Sequence, residues 1–131
     1  MFIEMKDFVR NYSLRTYNED YNVICDLSYK WKMNKSRSRK YVRELRDYLN
    51  KYGIFCDGIL VFEYSKIERQ LHNHILMYCD KDYYKCESVI FNYWNKLGSL
   101  NIEKYDKNLG YSSYITKHIN KTENNDWEFL S

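Results

Sequence analysis

The chain has 131 residues, 44% hydrophobic and 30% charged, with a formal net charge of +3. That size suits one domain, and the balance is that of a folded soluble protein. No apolar run is long enough to span a membrane and the N-terminus does not resemble a signal peptide, so the expected location is cytoplasmic. Cys25, Cys56, Cys79 and Cys86 show no CxxC spacing. They read as reduced thiols, and spacing gives no support to a zinc site. Fifteen tyrosines and no proline stand out. AT-rich coding accounts for most of that excess, although tyrosine also stacks on bases.

In chain order, the first eighteen residues start ambiguously, as helix or strand. Residues 21–31 read as a strand. A helix follows, capped by Ser36 or Ser38 and ending at Gly53, with Tyr41, Leu45, Tyr48 and Leu49 on one face. Residues 54–64 and 71–78 read as two strands of a hairpin. Residues 80–97 read as a helix carrying Cys86, Val89, Ile90, Tyr93, Trp94 and Leu97 at helical spacing, with Gly98 at its end. A short strand over 100–105 and a final helix over 110–121 complete the pattern. Residues 122–131 read as an acidic and polar C-terminal tail or docking segment, with Trp127 and Phe129 as anchors. The first six elements predict an α+β fold of the ferredoxin-like, split β-α-β kind. Two helices would cover one face of an antiparallel sheet, leaving the other face to the last helix.

Two of the three histidines, His72 and His74, lie in one predicted strand. Alternation projects both to the same side. A hairpin turning at Ile67-Glu68 pairs Lys66 with Arg69 and sets Glu63 opposite His72, with Cβ atoms about 5 Å apart. A slip of one residue would send Glu63 to the other face. Two imidazoles and a carboxylate suit Mn²⁺, Mg²⁺, Zn²⁺ or Fe²⁺. A bare histidine pair on an amphipathic strand is the plain alternative. Glu68, in the turn, is the weaker ligand candidate.

Charge is unevenly spread. Lys30, Lys32, Lys35, Arg37, Arg39, Lys40, Arg43 and Arg46 face Glu44 alone in that stretch. Such a block suits a phosphate backbone, and a solvated helix face is the alternative. In the last predicted helix Tyr111, Tyr114, Ile115 and His118 share a side, with Lys117 three residues after Tyr114. A phenol titrates near pH 10 and attacks poorly at neutral pH. A metal on a scissile phosphate would assist it, and Lys117 could neutralise charge. The product would be a covalent phosphotyrosine.

Leu71-His72-Asn73-His74-Ile75-Leu76, preceded by Val61-Phe62-Glu63, resembles the histidine–hydrophobic–histidine motif of HUH endonucleases. Tyr114-Ile115-Thr116-Lys117 resembles the Tyr-x-x-Lys motif of the replication-initiator branch, and residues 21–30 correspond to its first strand motif. The resemblance covers about residues 20–121, a single nuclease domain. It implies a viral or plasmid initiator that nicks single-stranded DNA at an origin with Mn²⁺ or Mg²⁺. The tyrosine would hold the 5′-phosphate while the freed 3′-hydroxyl primes synthesis by the host replication machinery. Reversal of the bond would rejoin ends. Carried over, His72, His74 and Glu63 are metal ligands, Tyr114 is the nucleophile and Lys117 its assistant. Two residues depart from the pattern. Asn73 stands where the family has a bulky apolar residue, and His118 stands where some relatives carry a second tyrosine. One working tyrosine is therefore expected, with Tyr111 as fallback. At this length no helicase segment is expected, which points to a minimal initiator.

Three other readings compete. A single-strand DNA transposase of the same fold would act as a homodimer, a state the sequence leaves open for this chain. A non-catalytic DNA-binding protein would rely on the basic block and aromatics alone. A non-haem iron oxygenase would share the ligand set but give Lys117 and the basic block no task.

Overall fold

The computed structural model describes residues 21–65, 69–105 and 127–130. They form β1 (Val23–Leu27), α1 (Lys35–Lys51), β2 (Cys56–Tyr64), β3 (Leu71–Cys79), α2 (Tyr83–Trp94), β4 (Leu100–Lys104) and β5 (Trp127–Phe129). The strands make one antiparallel sheet in the order β4-β1-β3-β2-β5. This is an α+β fold, and its first six elements follow the expected split β-α-β order. The predicted final helix, the first eighteen residues and the turn at Ile67-Glu68 lie outside the described residues.

α1 forms because Val42, Leu45 and Leu49 recur at spacings of three and four and are fully buried. Its cap is Asn34, one position before the helix, and not Ser36 or Ser38. Asn34 Oδ1 accepts from the Arg37 backbone N–H at 2.8 Å. Ser38 is instead buried within the helix. Gly53 follows the helix at φ 79°, a conformation glycine adopts without strain. α2 is capped by Asp82, whose carboxylate accepts from the backbones of Tyr84 and Lys85. Cys86, Val89, Ile90, Tyr93, Trp94 and Leu97 are all buried, as their spacing predicts. Gly98 serves a different purpose from a left-handed cap. A Cβ there would sit 2.0 Å from the Ser28 carbonyl oxygen, so the chain passes too close to β1 for any side chain.

Both helices cover the same side of the sheet. Leu27, Leu60, Phe62, Leu71, Ile75 and Met77 join Leu45, Leu49, Ile90 and Trp94 in one core. On the opposite side Ile24, Ile59, Val61 and Leu76 form a smaller cluster, against which Tyr78, Tyr105, Trp127 and Phe129 pack. Trp127 and Phe129 do act as anchors, but as members of an edge strand rather than of a loose tail. β5 pairs with β2, and the Arg39 Nε–H donates to both Glu128 oxygens at 3.0 and 2.9 Å. Leu130 closes the core beside it.

Candidate metal and nucleic-acid site

The β2–β3 register pairs Glu63 with His72 and Val61 with His74. This is the expected pairing, and alternation then places Glu63, His72 and His74 on the face away from the helices. β1 lies on the other flank of β3, with Asp26 opposite His74. His74 is thus held between two carboxylates. Its Nδ1 meets Asp26 Oδ1 at 2.6 Å and its Nε2 meets Glu63 Oε2 at 3.1 Å. Burial disfavours a charged imidazole here, but hydrogen bonding and charge from Asp26, with Glu63 adding to both, outweigh it and raise the pKa. Without a cation, His74 is a clamped imidazolium donating from both nitrogens.

The donor set fits a divalent cation. Asp26 holds the Nδ1 proton, which fixes the tautomer and aims the Nε2 lone pair towards Glu63 once that nitrogen loses its proton. Neighbouring ligands of an octahedral ion with bonds of about 2.1 Å lie about 3.0 Å apart. The His74–Glu63 separation of 3.1 Å matches that edge. His72 and His74 both line a cavity of about 350 Å³ bounded also by Asp26, Ser28, Ser99 and Asn101. Among the described residues no three His, Cys, Asp or Glu side chains converge as a finished metal cage. Two donors are preset and His72 waits on the same face.

Asp26 escapes a reading of the sequence. The available signal was a carboxylate amid the apolar strand Val23-Ile24-Cys25-Asp26-Leu27, but its partner lies 48 positions away. Asn73, between the histidines, points into the helix side and is fully buried. Its Oδ1 accepts from Tyr29 Oη at 2.5 Å and Ser38 Oγ at 2.8 Å, and those hydroxyls lie 2.8 Å apart. An amide can therefore replace the usual apolar residue because two hydroxyls meet it.

The basic residues divide by position. The N-terminal end of α1 lies at the histidine end of the sheet, where Ser38 reaches Asn73 and Lys35 sits 5.2 Å from the centre of the Phe62 ring. The far end of α1, around Arg46, lies by Cys56 and Met77. Lys30, Lys32 and Lys35 therefore lie nearest the candidate site. Arg37, Lys40 and Arg43 are exposed along the helix layer, across the sheet from the histidines. Arg39 is engaged with Glu128. Tyr114, Lys117, Tyr111 and His118 lie outside the described residues.

The model of the ORF2-type replication-associated protein family matches residues 15–123. The chain belongs to this family and is a protein of the replication-initiator type. No curated protein and no solved structure matches it. No helix among the described residues is long and apolar enough to cross a membrane.

Proposed function

We propose that this chain is an HUH-type nickase that cuts and rejoins single-stranded DNA at a replication origin. The observation that carries this reading is His74 fixed between Asp26 and Glu63, with His72 beside it on an open cavity. His72, His74 and Glu63 would hold Mn²⁺ or Mg²⁺, His72 completing the set by turning its ring. When bound, the cation would withdraw charge from the scissile phosphate and steady the leaving oxygen. The Tyr114 phenol oxygen attacks phosphorus, the P–O3′ bond breaks, and the phenol proton ends on the released 3′-hydroxyl. Lys117 offsets phosphate charge. The 5′-phosphate stays on Tyr114 until a 3′-hydroxyl reverses the step. Lys30, Lys32 and Lys35 hold the incoming backbone, with Arg37, Lys40 and Arg43 extending the track. Membership of a replication-associated family favours an origin over a transposon end as substrate. Host replication proteins would extend the freed end.

The test is incubation with labelled single strands in Mn²⁺ or Mg²⁺, followed by denaturing electrophoresis. A protein–DNA adduct is expected, lost in EDTA, in Tyr114→Phe and in His72→Ala. If Tyr111→Phe loses it and Tyr114→Phe keeps it, the nucleophile is Tyr111. Unimpaired metal-dependent cleavage by His72→Ala would overturn the metal assignment.

A further inference from the structure

The segment between β1 and α1 carries a feature the nicking chemistry does not use. Lys30, Trp31 and Lys32 are all exposed, Trp31 at 40%. The residues around them are not. Tyr29 is 6% exposed and Met33 4%. Tyr29 is tied through its hydroxyl to Ser38 and Asn73, and the Lys30 backbone N–H donates to the Leu97 carbonyl at 2.8 Å. Gln70 Nε2 donates to the Trp31 carbonyl at 2.9 Å and to that of Tyr29 at 3.4 Å. The Trp94 indole N–H donates to the Ser28 carbonyl at 2.9 Å. A rigid frame thus presents an indole flanked by two ammonium groups. Gln70 stands two residues before His72, so the frame is fastened to the start of the histidine strand. Isolated exposed apolar residues are ordinary on protein surfaces. Tyr52 and Phe55 are examples, beyond the far end of α1. Trp31 differs in its cationic flanks, its pinned backbone and its place beside the candidate site.

We infer that Trp31 is a stacking platform for an unpaired base of single-stranded DNA, with Lys30 and Lys32 contacting the adjoining phosphates. This rests on the proposed DNA substrate but not on the cleavage chemistry. An indole face accepts any base, and the penalty of ordering the loop is already met by the fold. A closed duplex hides the faces that stacking needs.

The experiment uses the full chain in EDTA, where no cleavage occurs, with a labelled oligothymidine strand at fixed salt. Indole fluorescence should be quenched as the strand binds, and little by a duplex containing it. Trp31→Ala should weaken binding at least about fivefold. Trp31→Phe should keep affinity within about twofold, because a phenyl face also stacks, while most of the quench disappears. Melting curves for both variants check that the fold is intact. Wild-type affinity in Trp31→Ala, or an unchanged quench in Trp31→Phe, overturns the inference. If the quench stands while no adduct ever forms, stacking survives and the nickase reading fails. If the wild-type chain binds no single strand, both fail.

Discussion

The two faces of β3 solve opposite problems with alternate residues of one strand. Towards the helices, Leu71, Ile75, Met77 and Cys79 fill a dry core, and the single amide among them, Asn73, is met by two hydroxyls. Away from the helices, His72 and His74 stand beside Asp26 and Glu63, and the apolar residues retreat to the other end of the strand. The first face is organised to exclude water and the second to hold charge. One face therefore carries stability and the other chemistry, and substitutions should separate them.

The largest effect is expected on the helix side. Phe62→Ala removes a fully buried ring and should cost about 3–5 kcal/mol in a denaturant melt. Mn²⁺ affinity of the folded variant should change little, and a parallel loss would mean that the faces are coupled. Asp26→Ala is the reverse case. It should weaken Mn²⁺ binding, followed by calorimetry, about 10–100-fold, because His74 loses the group that sets its tautomer. Its melting temperature should move little. Asn73→Leu restores an apolar centre to the motif. It leaves one hydroxyl of Tyr29 and Ser38 without its acceptor, while deleting an amide nitrogen that has no hydrogen-bond partner. A net change within about 2 kcal/mol is expected, with cation affinity unchanged.

Acidity tests the second face directly. The raised pKa of His74 means that the folded state holds its proton more tightly than the unfolded chain. That contribution is complete below the unfolded value near 6.5 and is lost as pH rises through the raised native value. Cation binding runs the other way, since it requires Nε2 without its proton. Metal-free melting temperature should therefore fall, relative to His74→Ala, as pH rises through neutrality, while Mn²⁺ affinity rises. Parallel pH profiles for wild type and His74→Ala would remove His74 from the account. The smallest effect belongs to the edge. Arg39→Ala releases Glu128 from a half-exposed ion pair and should cost at most about 1 kcal/mol, less at high salt.

Local pattern determined much of this protein. Alternation assigned the histidines to one face, and a hairpin between adjacent strands set Glu63 opposite His72, because both depend on neighbours a few residues apart. Helical spacing identified the buried faces of α1 and α2 for the same reason. Tertiary structure alone decided the rest. Asp26 meets His74 only because β1 inserts beside β3, a pairing that crosses a helix and a hairpin and leaves no periodic trace. The cap of α1 passed from the serines to Asn34 because Ser38 was needed inside, against Asn73 and Tyr29. Arg39 was drawn from the basic block to Glu128 by an edge strand whose position depends on the finished sheet. Short-range periodicity encodes which side a residue faces, whereas the partner it finds there is set by chain segments that only folding brings together.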